Sequence, residues 1–167
     1  MKTKDLVIMA MLTGVIFAAQ VAMASLPNIE AVTLLVILYT QLYRKKVFFI
    51  LYSFIVLEGL FYGFGLWWFN YLYIWPLLAL LVLLLVKTSH SPVFWSIVAG
   101  AYGLCFGMLC AIPYFITGGM GGGLAYWISG IPYDILHCAG NTVLCLLLYR
   151  PLYRVMTQML KAGIVRT

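Results

Sequence analysis

The chain has 167 residues, of which 65% are hydrophobic and 8% are charged, and its mean hydropathy is +1.07. Too little polar surface remains for a water-soluble domain, so the composition indicates an integral membrane protein. A net charge of +6 would suggest nucleic acid as the partner of a soluble protein. Here we expect no nucleic acid, because the positions of the basic residues relative to the apolar segments explain the charge.

Six apolar segments follow one another, and a helix needs roughly 17 to 25 residues to cross a bilayer. The predicted spans are about 6–24, 29–43, 47–64, 71–86, 92–116 and 126–149. The second is short, so Arg44–Lys46 are expected to snorkel to the membrane surface. A short amphipathic tail, 151–167, is expected to lie along the interface. The predicted fold is all-α, a single membrane domain of six transmembrane helices.

The basic residues alternate with the spans in a way that predicts orientation. They are Lys2, Lys4, Arg44, Lys45, Lys46, Lys87, Arg150, Arg154, Lys161 and Arg166. All lie before the first span or after the second, fourth and sixth. Loops rich in Lys and Arg stay in the cytoplasm, so both termini are expected to be cytoplasmic in a multi-pass cell-membrane protein. A competing interpretation makes the first segment a signal peptide cleaved after Ala22-Met23-Ala24, which would leave five spans.

Two spans carry small residues at every fourth position, a spacing that lets another helix backbone approach closely. In the first span these residues are Ala10, Gly14, Ala18 and Ala22, and in the fifth they are Ala99, Gly103, Gly107 and Ala111. The fifth-span ladder is expected to pack inside the bundle. For the first-span ladder, packing within the bundle and contact with an external partner remain equally open.

Three of the four acidic residues, Glu30, Glu58 and Asp134, fall toward the outer half of the predicted bundle, where the sequence offers no Lys or Arg to pair with them. A carboxylate near mid-membrane costs at least about 2.5 kcal/mol. It must therefore be protonated, hydrated, hydrogen-bonded or matched by a ligand. Glu30 follows Asn28 at a helix start, where an acid can simply complement the helix N-terminus.

The sixth span carries a polar stripe, since Asp134, His137 and Asn141 fall at positions i, i+3 and i+7 of one helix. The stripe is interpreted either as a hydrogen-bond cluster between helices or as one wall of an outward ligand pocket. Aromatic residues concentrate at the outer ends of the third and fourth spans, as in a membrane-interface belt. Of these and their neighbours, Trp67, Trp75 and Trp127 are candidates to stack on a planar ligand.

Two further features carry weaker predictions. The segment 117–123, Thr-Gly-Gly-Met-Gly-Gly-Gly, is expected to be a mobile loop, either a lid over the pocket or a plain linker. Cys105, Cys110, Cys138 and Cys145 have no Cys-x-x-Cys spacing and are interpreted as small core residues. We expect neither a resident metal nor a cofactor.

With these residues in view, the chain resembles the substrate-binding S component of energy-coupling factor (ECF) vitamin transporters. Three stretches carry the resemblance: the ladder Ala10-Met11-Leu12-Thr13-Gly14, the second-span opening LPNIEAVTLLVILYT, and GIPYDILHCAGNTVLCLLLYRPL in the sixth span. The resemblance covers nearly the whole chain. Its last stretch is moderately specific, and the ladder alone is weak.

The resemblance implies a transport subunit that is not itself an enzyme. It would bind a vitamin-like micronutrient from outside a bacterial cell and deliver it inward with a membrane-embedded T component and two cytoplasmic ATPases. The family's Ala-x-x-x-Ala contact motif would fall on Ala10 and Gly14, a departure in which Gly replaces the second Ala. Loop closure over the ligand would fall to residues 25–29 and to the glycine-rich segment.

The ligand class follows from the side chains. Carboxylates without a nearby base argue against a strongly anionic substrate, and aromatic rings favour a planar, neutral or cationic one. Thiamine-like, queuosine-type and corrinoid ligands remain open. The main alternative is an autonomous proton-coupled or metal-ion transporter built on Glu58, Asp134 and His137. An intramembrane enzyme using Asp134 and His137 as an acid–base pair is a third class.

Overall fold

The computed structural model describes residues 3–161, which are helical with short connections and contain no strand within that range. The helices are α1 (Thr3–Met23), α2 (Val32–Tyr43), α3 (Val47–Tyr62), α4 (Leu66–Leu85), α5 (Pro92–Cys110) and α6 (Ile112–Lys161). A 3-10 turn, Arg44–Lys46, joins α2 to α3. The prediction of an all-α fold is confirmed. The predictions for Lys2, for Arg166 and for the tail beyond residue 161 lie outside the described residues.

Within the described chain, four helices are long and apolar enough to cross a membrane: α1, α4, α5 and α6. The other two are shorter, with 12 residues in α2 and 16 in α3. At about 1.5 Å per residue, α2 is about 18 Å long, less than the roughly 30 Å of a hydrocarbon core. By length and composition, these four helices are therefore candidate membrane spans, which is compatible with a membrane protein.

Helix α2 is the centre of the bundle. All twelve of its residues are buried, and it contacts each of the other five helices. A helix that is apolar on every face is stable only when surrounded by other helices, and α2 is apolar apart from Thr33, Thr40 and Gln41. The two threonines and the glutamine bond within the protein, since Thr40 Oγ1 donates to the Val36 carbonyl and Gln41 Oε1 accepts from Tyr149.

The fifth-span ladder packs within the bundle, as predicted. Helices α5 and α6 run antiparallel with their backbones in close contact, because Gly103 lies against the backbone of His137 and Gly107 against the Asp134 carboxylate. A Cβ on Gly103 would lie 2.9 Å from the His137 carbonyl oxygen. The first-span ladder is different: Ala10, Gly14, Ala18 and Ala22 are all exposed on the outside of the bundle.

The predicted mobile loop at 117–123 is wrong. These residues are helical except for a sharp reversal at Gly119, whose φ of 64° lies in the left-handed region that favours glycine. The two arms of this reversal pack on each other, with Tyr114 stacked on Tyr126 at 4.0 Å between ring centroids and Phe115 lying against Gly123. The glycines thus permit close packing of two helical arms.

Three predicted helix ends also differ. The fourth helix begins at Leu66 rather than near residue 71. Its first turn is attached to α3, because Trp68 donates from Nε1 to the Ile55 carbonyl oxygen at 2.8 Å. The last helix continues through Pro151 to Lys161, so the predicted separate interfacial tail is, as far as the structure describes it, an extension of α6. The fifth helix ends at Cys110 rather than near residue 116.

The basic segments that the structure describes at the start of α1 and the end of α2 lie together. Lys46 Nζ is 3.6 Å from Asp5 Oδ2, which brings the α2–α3 turn to the beginning of α1. Lys4 and Tyr43 line one groove with Met156 and Met159 of α6, so the C-terminal part of α6 reaches the same end of the bundle. The opposite end carries the acidic residues described next.

Candidate functional site

At the end of the bundle opposite the basic residues lies a cavity of ≈ 450 Å³, here called the main cavity. It lies between the α1–α2 connection, α3, α4, α5 and α6. Its lining residues are Gln20, Met23, Ala24, Leu26, Pro27, Asn28, Ile29, Glu30, Glu58, Tyr62, Trp67, Tyr71, Trp75, Phe106 and His137. Among the described residues, no Lys or Arg lines it, so two carboxylates set its electrostatic character.

Glu30 is fixed by a run of contacts between α2 and α6. Its carboxylate accepts the backbone N–H of Thr33 at 2.9 Å and the Thr33 hydroxyl, and its Oε1 lies 3.1 Å from His137 Nε2. One layer deeper, Asn141 Nδ2 donates to Thr33 Oγ1 at 3.2 Å. Glu30 therefore completes the N-terminus of α2, as an acid at that position should, and also orients the imidazole of His137.

Glu58 is in the opposite situation. It comes from α3, is 2% exposed and lines the main cavity. Its Oε1 has no hydrogen-bond partner among residues 3–161. A buried polar oxygen left unpaired costs roughly 1–3 kcal/mol. Such a group in a native structure calls for an explanation, and a ligand donor in the cavity supplies one.

A continuous row of rings crosses the cavity wall, here called the aromatic row. It comprises Tyr62, Trp67, Tyr71, Trp75, Phe106 and the His137 imidazole, with neighbouring centroids 6.5, 5.3, 5.5, 5.7 and 4.7 Å apart in that order. Most neighbours meet edge to face, which is a preferred arrangement of aromatic pairs. The row gives the cavity flat apolar faces beside two carboxylates.

Four buried polar atoms of residues lining the main cavity lack a partner in the described chain. They are Gln20 Oε1, Glu58 Oε1, Trp75 Nε1 and His137 Nδ1. The first two accept hydrogen bonds, the indole donates, and the imidazole nitrogen does either according to its tautomer. Four such atoms around one cavity match a ligand that carries both donors and acceptors.

A second cavity of ≈ 300 Å³ adjoins the first and is here called the Asp134 compartment. Its lining residues are Asn28, Phe106, Gly107, Cys110, Tyr126, Ser129, Gly130, Tyr133 and Asp134. Asn28 and Phe106 line both cavities and therefore form the partition between them. Asn28 adopts a left-handed φ of 55° and donates from Nδ2 to the Tyr133 carbonyl oxygen at 3.2 Å.

The predicted site residues are distributed between these two cavities. Six of the nine predicted substrate-binding residues line the main cavity: Asn28, Glu30, Glu58, Trp67, Trp75 and His137. Asp134 lines the other compartment, Asn141 lies beneath the main cavity in the α2–α6 contact, and Trp127 lines neither. The polar stripe of α6 thus does two things at once: it bonds helices together and it faces cavities.

Sequence reasoning missed six lining residues, Gln20, Met23, Ala24, Tyr62, Tyr71 and Phe106. Gln20 had a usable signal, because it is a lone amide in an otherwise apolar part of the first span. The aromatic residues gave no distinct signal within a belt. Residues 24 and 26–29 line the cavity, so most of the connection expected to cover the ligand is in place. None of 117–123 does, so the predicted glycine-rich lid is wrong.

Comparisons with protein-family models, with curated proteins and with solved structures found no match to this chain. Within residues 3–161, no group of three or more His, Cys, Asp or Glu side chains is arranged to hold a metal ion. Any functional conclusion therefore depends on the geometry of the two cavities and of the exposed surfaces.

Proposed function

We propose that this protein is the substrate-binding membrane subunit of an ATP-driven micronutrient importer. It resembles S components of the ECF type, crosses the membrane six times and keeps both termini in the cytoplasm. The observation that carries the proposal is the main cavity, where buried carboxylates, aromatic rings and four residues with an unpaired polar atom line a volume suited to one small molecule. Ligand sites in proteins have this mixture of apolar walls and few placed polar groups.

The chemistry of the cavity favours a planar ligand that is cationic or rich in hydrogen-bond donors. The Glu58 carboxylate attracts positive charge, and the aromatic row offers ring faces for stacking and for cation–π contact. A volume of ≈ 450 Å³ is near the lower end of the roughly 300–1,000 Å³ typical of small-molecule sites. It therefore suits a heterocycle of the size of thiamine or queuine better than a corrinoid macrocycle.

Six crossings are consistent with the short α2 because of what surrounds it. Irregular backbone at membrane depth is tolerated where it lines a cavity or is buried in protein. Residues 24 and 26–30 of the α1–α2 connection line the main cavity, and α2 itself is enclosed by the other helices. The connections that carry Lys and Arg lie at one end of the bundle, and Glu30, Glu58 and Asp134 lie toward the other. The positions of the basic residues agree with a cytoplasmic position of the basic end.

The exposed first-span ladder supports a membrane partner. Ala10, Gly14, Ala18 and Ala22 form a smooth outer stripe on α1, and a Cβ on Gly14 would meet nothing within 4 Å in the described chain. Small residues bury little against lipid but allow another helix to approach closely. We assign this stripe to contact with a T component, which would connect the subunit to two ATPases.

Two measurements test the proposal. A tagged chain is isolated from native membranes in mild detergent, and co-purifying proteins are identified by mass spectrometry. Recovery of one further membrane protein and two ATPases is expected. Recovery of the chain alone would favour the autonomous transporter, with dependence of uptake on a proton gradient as the next experiment.

The second measurement concerns the cavity. Tryptophan fluorescence of the purified chain is titrated with thiamine and queuine as donor-rich heterocycles and with folate as an anionic one. Trp67 and Trp75 line the cavity, so binding there should change the emission. Saturable quenching by a cationic or neutral compound but not by folate is expected, and a preference for folate would contradict the assigned ligand class.

A further inference from the structure

The Asp134 compartment contains a buried carboxylate, and only one of its two oxygens has a hydrogen-bond partner in the described chain. Asp134 is 3% exposed. Its Oδ1 accepts the backbone N–H of Gly107 at 2.8 Å, whereas its Oδ2 has no partner among residues 3–161. Asp134 lines a ≈ 300 Å³ space. A hydrogen-bond donor that enters this space would therefore satisfy the unpaired oxygen.

The walls of the compartment specify what that group is. No Lys or Arg of the described chain lines it, so the carboxylate has no cation of its own. Tyr126 and Tyr133 add two aromatic rings. Tyr126 is stacked on Tyr114, and aromatic rings that line a space attract a cation within it. An alkylammonium group satisfies both features, because it donates to Oδ2 and carries the charge that the rings attract.

The compartment is also connected to the site already described. Asn28 and Phe106 form a partition shared with the main cavity, and one hydrogen bond, from Asn28 to the Tyr133 carbonyl, joins that partition to α6. An arm of a ligand in the main cavity reaches Asp134 if this asparagine side chain turns aside. The length of such an arm is short, because the two spaces share walls.

We propose that the Asp134 compartment binds a protonated amine, and that the transported molecule is a planar heterocycle carrying such an amine on a short arm. This inference rests on the proposed function, since it assigns the arm to the ligand of the main cavity. It divides recognition between two carboxylates: Glu58 faces the ring system, and Asp134 binds the ammonium group.

Cys110 provides a direct test, because it is one of the residues that line the compartment. In a chain with Cys105, Cys138 and Cys145 replaced by Ala, the rates of modification of Cys110 are measured with aminoethyl and sulfonatoethyl methanethiosulfonate. The cationic reagent is expected to react at least tenfold faster than the anionic one, after division by their rates with a free thiol. Asp134→Asn should remove most of this preference, and Asp5→Asn, which changes an acid beside Lys46 at the other end of the bundle, should retain it.

Competition keeps the test independent of whether Asp134→Asn folds. In the Cys110 background, ethylammonium chloride is expected to slow modification by the cationic reagent, while sodium chloride at the same concentration does not. Equal protection by sodium would replace the amine with an inorganic cation and overturn the proposal. An unreactive Cys110, or a charge preference that survives Asp134→Asn, would overturn it as well.

The route between the cavities is tested by Asn28→Gly, which keeps the left-handed φ accessible and removes the bridge to Tyr133. Modification of Cys110 by both reagents is expected to become several-fold faster. Unchanged rates would exclude passage past Asn28. None of these measurements needs the partner subunits or the natural ligand, so the compartment's charge preference and the importer assignment succeed or fail separately.

Discussion

His137 Nε2 lies 3.1 Å from Glu30 Oε1, although 107 residues separate them. The two deeper contacts between α2 and α6, Asn141 with Thr33 and Tyr149 with Gln41, each join residues 108 apart. Since the offset changes by only one residue over the three contacts, α2 and α6 run parallel in one register, with a polar contact at three depths. The uppermost contact forms part of the main cavity, so the same pairing that aligns the helices also fixes the imidazole at the cavity wall.

This arrangement predicts opposite behaviour for the two acids of the main cavity. Glu30→Gln loses the charge-assisted hydrogen bonds to Thr33 and to His137, and it should lower the free energy of unfolding by about 1–3 kcal/mol. Glu58→Gln should leave stability unchanged or raise it, because Glu58 Oε1 has no partner among residues 3–161 and a buried carboxylate becomes neutral. The measurement is unfolding in mixed micelles followed by circular dichroism. Similar losses in both variants would show that Glu58 also stabilises the fold.

The indoles of α4 offer a matched pair for testing the ligand site. Trp68 Nε1 donates to the Ile55 carbonyl, whereas Trp75 Nε1 is unpaired in the described chain and belongs to a residue lining the main cavity. Replacing each by Phe removes one N–H group. In hydrogen-bond energy, Trp68→Phe should lose about 0.5–1.5 kcal/mol that Trp75→Phe does not lose. Trp75→Phe also leaves a space in the core, because Trp75 is 2% exposed, so its cost in stability comes from packing.

Ligand affinity should depend on Trp75 more than on Trp68. Trp75→Phe is expected to weaken binding of the compound selected by the fluorescence titration about fivefold or more, and Trp68→Phe to leave it within about twofold, given that hydrogen bonds to neutral groups contribute about 1 kcal/mol. Calorimetric titration measures both, since it does not depend on the indoles as reporters. Equal weakening would indicate that the effect on affinity comes from the fold.

The α5–α6 interface predicts a strong position dependence for glycine substitution. Gly103→Ala places a methyl group 2.9 Å from the His137 carbonyl oxygen, so the helices must separate, and we expect a loss of about 1–3 kcal/mol. Gly14→Ala is the control. It adds the same methyl group where the described chain has nothing within 4 Å, and its helix propensity favours stability by up to about 1 kcal/mol. A stable Gly103→Ala protein would mean that α5 and α6 pack more loosely than the structure shows.

Particular residues show how far the sequence could lead. Glu30, Glu58 and His137 were predicted together because buried polar groups without a basic partner are rare in apolar segments, and a cavity is a physical reason for them. Asp134 was expected beside His137, three residues away on one stripe. A three-residue step rotates a side chain by about 60° around a helix, and that rotation is enough to direct Asp134 toward α5 and His137 toward α2.

Other features depend on tertiary packing that local sequence does not encode. The reversal at Gly119 could not be told from a flexible loop, because both use glycine. The stacking of Tyr114 on Tyr126 decides between them. The extension of α6 through Pro151 also depends on packing. Proline disfavours a helix interior, yet α6 is helical on both sides of Pro151. The flanking Tyr149 and Tyr153 stack with their ring centroids 5.7 Å apart.

The exposed stripe on α1 gives the prediction that most directly separates folding from assembly. Gly14→Leu adds a bulky side chain at an exposed position, so stability and ligand binding should be unchanged. Co-purification of the membrane partner and the ATPases should fall at least tenfold, because close helix approach requires small residues. Ala139→Leu, which enlarges an exposed alanine on α6, serves as the control and should retain the partners. Quantitative mass spectrometry of the two purifications gives the ratio. If Gly14→Leu retains its partners as Ala139→Leu does, the stripe is a lipid-facing surface, and the partner contact must be sought at the basic end of the bundle.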